Sequence, residues 1–153
     1  MKKLKIYVDT SVIGGCFDDE FKKYSNLFFE QVKLTKYFVL LSPLTYVELE
    51  NAPEKVRNVL DNLPVDSKID VPSESEAKEL AEAYLKTKIV GSSSIDDAYH
   101  VAIATIAGAD LILSWNFKHI VNFEKICKFN SVNLAYGYKS IDIRSPRELN
   151  YED

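Results

Sequence analysis

A chain of 153 residues, 46% apolar and 27% charged, has the composition of one globular domain able to bury roughly two-thirds of its unfolded surface. The net charge of −4 argues against a protein that coats nucleic acid through massed Lys and Arg, although acids clustered around a metal would themselves lower the total. No apolar run approaches the roughly 20 residues of a membrane span, and the basic start Met1-Lys2-Lys3-Leu4-Lys5 meets acid too soon for a signal peptide. The expected address is therefore the cytoplasm, with no membrane partner.

In chain order, Lys5-Ile6-Tyr7-Val8-Asp9-Thr10-Ser11-Val12-Ile13 reads as a short strand that ends in an acid and two hydroxyls. A brief helical turn follows and is expected to stop at Gly14-Gly15. Phe21 to Lys36 reads as a helix, with Tyr24, Leu27, Phe28, Gln31 and Val32 at the spacing of a buried stripe. Tyr37 to Leu41 is a continuous apolar run, which fits a strand covered on both faces. Ser42-Pro43 supplies a cap and a first-position proline for a helix carrying Leu44, Val47, Glu48 and Glu50.

Pro53 and Pro64 bracket a further helix over Glu54 to Leu63, and Ser67 to Val71 can form a strand. Ser73 with Glu76 reads as a capping box for a helix through Lys86. Gly91-Ser92-Ser93-Ser94 is the one flexible stretch, and it leads into an Ala-rich helix from Ile95 to Ala107 that Gly108 ends. Asp110 to Ser114 is a strand, Phe117 to Asn130 is helical in pieces, and Ser140 to Ile143 is an edge strand. Strands alternating with helices predict one α/β domain over 1–153, with a core of about 4–143, a polar tail at 144–153, and a central parallel sheet between helices. Cys16 and Cys127, far apart and without a CxxC, read as reduced core thiols.

Four polar stations carry chemistry. Asp9 ends a strand, where open α/β sheets place their ligands. It can also cap the following turn, although Thr10 or Ser11 could do so and free the carboxylate. Glu48 falls beside an apolar stripe, where an acid needs a partner. Asp96 and Asp97 stand in the first turn of their helix, and Ser94 with Asp97 fits a capping box. Two adjacent carboxylates point apart on a helix, so Asp97 is taken for the site and Asp96 for a supporting or capping role.

His100, three residues past Asp97 and four past Asp96, can pair with either acid, and with His119 the only other imidazole a zinc site is disfavoured. Ser114-Trp115-Asn116 follows a strand: Asn116 can offer a neutral oxygen, Lys118 can meet a phosphate, and Trp115 can stack a base or pack. An oxygen-only set of this kind suits Mg²⁺ or Mn²⁺.

These signatures together resemble the PIN-domain family, VapC-type toxins among its members. The matching pieces are Tyr7-Val8-Asp9-Thr10-Ser11, Thr45-Tyr46-Val47-Glu48-Leu49, Asp97 to Ala104, and Leu113-Ser114-Trp115-Asn116, in that order over most of the chain. The resemblance implies a Rossmann-like sheet of about five parallel strands with the acids at its carboxyl edge. It also implies Mg²⁺- or Mn²⁺-dependent phosphodiester hydrolysis, usually of RNA. By position Asp9, Glu48 and Asp97 would hold the metal, and Asn116 stands where the family has Asp or Asn, with Ser114 at the usual Thr/Ser position. Thr10, Ser11, Asp96, His100, Ser114, Lys118 and His119 become the supporting or substrate-binding candidates.

Asn51-Ala52-Pro53 departs from the pattern common after the glutamate of the toxins. The toxin reading would bring an antitoxin partner that inserts a segment into the acidic groove, and a homodimer. Two rivals stand beside the nuclease: a PIN fold that binds RNA or protein without cutting, and a phosphatase with Asp9 as nucleophile. The second is weakened by Ser11 at the position of the second acid.

Overall fold

The computed structural model describes residues 2–91 and 94–151, so the middle of the Gly91–Ser94 stretch and the end of the tail lie outside the described residues. Apolar strands need cover on both faces, and here three of them pair in parallel with two edge strands of more polar character into one five-stranded sheet. The strands are β1 (Lys5–Val8), β2 (Phe38–Leu41), β3 (Lys68–Asp70), β4 (Leu111–Leu113) and β5 (Asp142–Arg144), in the order β3-β2-β1-β4-β5. The helices are α1 (Thr10–Gly14), α2 (Lys22–Lys33), α3 (Pro43–Glu50), α4 (Glu54–Asp61), α5 (Ser75–Lys86), α6 (Ile95–Ile106) and α7 (Phe123–Ala135).

Strand alternation sorts the core into two layers. Ile6, Val8, Val39, Leu41, Leu111 and Leu113 face one way, against Val12 and Ile13 of α1, Phe28 and Val32 of α2, and Val56 and Leu60 of α4. Tyr7, Leu40, Ile112 and Ile143 face the other way, against Leu80 and Tyr84 of α5, Val101 and Ile103 of α6, and Phe129 of α7. Ala98, Ala102 and Ala104 of α6 are fully buried, and their small size lets α6 pack closely there. The α/β architecture with helices on both faces is the one the sequence predicts.

The order of strands reverses at β1: the path runs outward through β2 and β3, then returns to β4 on the other side. The crevice beyond the strand ends at such a reversal is where open sheets bind ligands. Tyr7 pairs with Ile112 and Val8 with Leu113, so Asp9 and Ser114 emerge side by side at this point.

Several local expectations shift. Helix α2 ends three residues short of Lys36, because Thr35 turns into the left-handed region at φ 61°. Helix α5 begins at Ser75 behind Glu74 with no side-chain cap, so the Ser73–Glu76 box is not formed. Ser94 likewise makes no capping bond to α6. A capping box does close at Ser145 and Glu148, on a short 3₁₀ turn at Pro146–Glu148.

Helix α7 extends five residues beyond Asn130, because its interior asparagines find tertiary partners. Asn130 bonds both the N–H and the C=O of Ile141, and the buried Asn133 accepts from the Tyr84 hydroxyl. Cys16 is a core thiol, pushed by burial to about 12 and therefore inert, but Cys127 is exposed, which corrects its placement in the core. Among the described residues no helix is long and apolar enough to cross a membrane.

Helix α1 ends at Gly14, as the Gly14-Gly15 pair leads one to expect, and a 3₁₀ turn over Gly15–Phe17 follows directly. Gly15 is needed for closeness: a Cβ there would lie 2.6 Å from Ser25 Oγ and 2.8 Å from Trp115 Nε1, two atoms already bonded to each other at 2.8 Å. Gly15→Ala should therefore destabilise the fold by about 1–3 kcal/mol, the usual cost of forced overpacking. Urea unfolding measures this, and a midpoint equal to that of the wild type would contradict it.

Candidate active site

The carboxylate of Asp9 leaves β1 and is 5% exposed. Its Oδ1 accepts from Ser11 Oγ at 2.5 Å and from the Val12 N–H at 3.3 Å, so Asp9 is itself the cap of α1 rather than ceding that role to Thr10 or Ser11. Its Oδ2 accepts from Ser114 Oγ at 2.6 Å, across the sheet from β4. The two serines are fixed in turn, because Ser11 Oγ accepts from the Trp115 N–H and Ser114 Oγ from the Asn116 N–H, each at 2.9 Å. Burial pushes the carboxyl up from its ordinary value, against the pull of the His100 charge and these hydrogen bonds.

Glu48 reaches the same place from α3, which starts at Ser42, whose side chain caps it by accepting from the Thr45 N–H, and Pro43. Glu48 Oε1 accepts from Thr10 Oγ1 at 2.8 Å and from His100 Nε2 at 2.6 Å. Partial burial raises this carboxyl, but the bond and charge of His100 and the Thr10 hydroxyl outweigh it and hold the group below its ordinary value. His100 thus pairs with neither Asp96 nor Asp97, as helical spacing had suggested, but with a glutamate from another helix.

Asp97 approaches from the first turn of α6 and is half-buried. Burial pushes its carboxyl up, the His119 and His100 charges pull it down, the Asp9 charge pushes it up again, and the Asn116 side chain pulls it down. Asn116 Oδ1 accepts from the His119 N–H at 2.9 Å, so the amide NH₂ rather than the oxygen is the end offered to Asp97. This differs from the neutral oxygen ligand the sequence suggested.

Asp9, Thr10, Ser11, Glu48, Asp97, His100 and Asn116 line one cleft of about 140 Å³. Larger hollows lie elsewhere on the surface, but the chemistry is gathered in this one. Asp96 is exposed and is not among the lining residues, and Lys118 is exposed on the turn past β4. His119 is half-buried, and its Nδ1 is buried with no hydrogen-bond partner among the described residues. Trp115 is resolved as a packing residue: it is 4% exposed, stacked 4.3 Å from Phe21 and bonded to Ser25.

The sequence reading missed Tyr7. Its hydroxyl lies 2.6 Å from His100 Nδ1 and 2.8 Å from Ser42 Oγ, both buried contacts. The signal was present: a tyrosine in a strand covered on both faces must place its hydroxyl on a buried partner, and a histidine in an Ala-rich helix has the same need.

Among the described residues no three His, Cys, Asp or Glu side chains lie close enough together to form a group that could hold a metal ion by themselves. A hard cation that keeps several waters does not require such a cage, since it binds through one or two carboxylates and the phosphates of its substrate. Three acids share this cleft; burial opposes the ionisation of each and prevails at Asp9 and Asp97, an imbalance that an added positive charge would relieve. The donor set fits Mg²⁺ or Mn²⁺, with Asp9, Glu48 and Asp97 as the oxygens available to it.

A family model for the PIN domain matches residues 6–120. A search of curated proteins finds no match to the sequence. Among solved structures, the chain is similar to one in VapBC2 from Rickettsia felis bound to a DNA fragment from their promoter, at 11% identity and a TM-score of 0.57, covering 93% of this chain and 98% of the other. It is also similar to one in FitAcB from Neisseria gonorrhoeae, at 16% identity and a TM-score of 0.58, covering 94% and 99%. A tyrosyl-tRNA synthetase from Aeropyrum pernix aligns at 13% identity and a TM-score of 0.54, over 94% of this chain and 53% of that one. At these identities the structures share a fold.

A carboxyl whose folded pKa lies above its unfolded value costs stability once ionised, and the cost disappears as pH falls below the unfolded value. Asp97→Asn should therefore raise the melting temperature of chelator-treated protein at pH 7. The gain should fade as pH falls below about 4. Calorimetry across that range tests this, and an unchanged or lowered Tm at pH 7 would contradict it.

Proposed function

The chain belongs to the PIN-domain family, and from that membership and the chemistry of its cleft we propose that it is a divalent-metal-dependent phosphodiesterase acting on RNA. The observation that carries this reading is the convergence of Asp9, Glu48 and Asp97 on one cleft from three separate elements, β1, α3 and α6. A bound Mg²⁺ or Mn²⁺ would supply a polarised water and neutralise charge on the phosphate.

The remaining work falls to the chain. Asp9 is fixed by Ser11 and Ser114, and Glu48 by Thr10 and His100, so both carboxylates are oriented before a substrate arrives. The amide of Asn116 steadies Asp97. Lys118, exposed on the turn past β4, and His119 beside Asp97 are the groups placed to meet a phosphate. With Asp9 accepting from three donors, its oxygens are poorly disposed to attack phosphorus, which makes the phosphatase reading weaker.

A protein inhibitor of the antitoxin kind is part of the proposal. Its support is the resemblance to VapC-type toxins and the likeness to a chain of a VapBC2 assembly. Homodimer formation and a cytoplasmic address belong to the same proposed setting.

The test is cleavage of a mixed single-stranded RNA by purified protein with Mn²⁺, beside Asp9→Asn and Asp97→Asn. The wild type should cut only with the metal, and each variant should lose about 100-fold or more of the rate, the scale of a lost electrostatic group at a reacting centre. Equal cutting by all three proteins would contradict the proposal.

A further inference from the structure

A carboxylate offers about four lone-pair positions, two on each oxygen. Thr10 Oγ1 and His100 Nε2 fill both positions on Glu48 Oε1, and no described donor reaches Oε2. On Asp9, Ser11 Oγ and the Val12 N–H fill both positions on Oδ1, while Ser114 Oγ takes one of the two on Oδ2. Each acid is thus left with a single oxygen free to face a cation.

His100, until now a supporting candidate without a defined role, is central to this arrangement. Its ring is 2% exposed and is held at both nitrogens. Because a carboxylate only accepts, Nε2 carries the hydrogen in the 2.6 Å contact to Glu48 Oε1. Nδ1 is anchored on the Tyr7 hydroxyl, and that hydroxyl on Ser42 Oγ, the residue that caps the helix bearing Glu48. The chain Ser42–Tyr7–His100–Glu48 therefore runs from the start of α3 through β1 and α6 and back to α3.

We infer that His100 is a positioning residue for Glu48, and that together with Thr10 it restricts this carboxylate to one-oxygen binding, so that the cleft selects small octahedral cations over Ca²⁺. The inference rests on the metal-site reading above. Mg²⁺ and Mn²⁺ bind through single carboxylate oxygens and waters, whereas Ca²⁺ takes more ligands and commonly gains from two-oxygen chelation by a carboxylate. Chelation by Glu48 would require breaking its bond to His100 or Thr10; chelation by Asp9 would require displacing Ser11 or the helix cap.

The experiment is calorimetric titration of Mn²⁺ and of Ca²⁺ into metal-free wild type, His100→Leu, His100→Gln and Thr10→Val, with circular dichroism to establish folding. The readout is the ratio of the Ca²⁺ Kd to the Mn²⁺ Kd. The wild type should bind Mn²⁺ more tightly. In His100→Leu the ratio should fall by about 10-fold or more, the scale on which partners of metal-binding side chains matter. In Thr10→Val, which leaves the buried chain intact, it should fall roughly 3-fold. His100→Gln, which can return an N–H to Glu48, should restore it to within roughly 3-fold of the wild type.

An unchanged ratio in Thr10→Val and in folded His100→Leu would overturn the inference while leaving the metal site standing. Should the leucine variant fail to fold, Thr10→Val decides by the same ratio. A wild type that binds no Mn²⁺ at millimolar concentration would overturn the metal-site reading and the inference together.

Discussion

Taking a carboxylate out of water is costly, and the end of β1 does so with Asp9, 5% exposed at the reversal point of the sheet. The surrounding chain is arranged to bear that cost. Ser11 and the Val12 amide come from the first turn of α1, and Ser114 comes from the end of β4, brought alongside by the β1–β4 register. Those donors are themselves tied to the Trp115 and Asn116 amides, so the loop after β4 is ordered around the acid. Closing that loop places Trp115 against Phe21 and Ser25, which is why Gly15 must lack a side chain. A single buried charge thereby sets the conformation of residues far from it in sequence.

The three acids are held in different electrostatic states. Glu48 is kept ionised by His100 and Thr10, whereas burial pushes Asp9 and Asp97 toward protonation and each one's charge bears on this cleft. Such a set is unbalanced in isolation, and the proposed cation would balance it. On that proposal the stability lost to these acids and the affinity for the cation would be two expressions of the same repulsion, a common relation between stability and function at such sites.

Much of this was legible in the sequence, for physical reasons that vary by element. The run Tyr37 to Leu41 fits a strand covered on both faces and Ser42-Pro43 signals a helix start, and β2 and α3 stand at those places. Asp9, Glu48 and Asp97 were singled out because acids at a strand end, beside an apolar stripe and in a helix's first turn each require an explanation, and the structure brings the three to one cleft. Helix caps were read less well: Ser73 and Ser94 have the right spacing, but their side chains do not turn back on the helix. The partner of His100 was hidden because spacing along a helix reports neighbours on that helix, while Glu48 arrives from α3, 52 residues away in sequence. Tyr7 was overlooked as core, although its hydroxyl closes the chain that fixes that histidine.

The central claim is that these three carboxylates share one cation, and anomalous diffraction from crystals of the protein grown with Mn²⁺ tests it most directly. The account predicts an anomalous peak in the cleft, bonded to Oε2 of Glu48 and Oδ2 of Asp9 and facing Asp97, with the hydrogen bonds of His100 and Thr10 to Oε1 intact. A cleft without a peak at millimolar Mn²⁺, or a fully occupied site elsewhere on the chain, would contradict it.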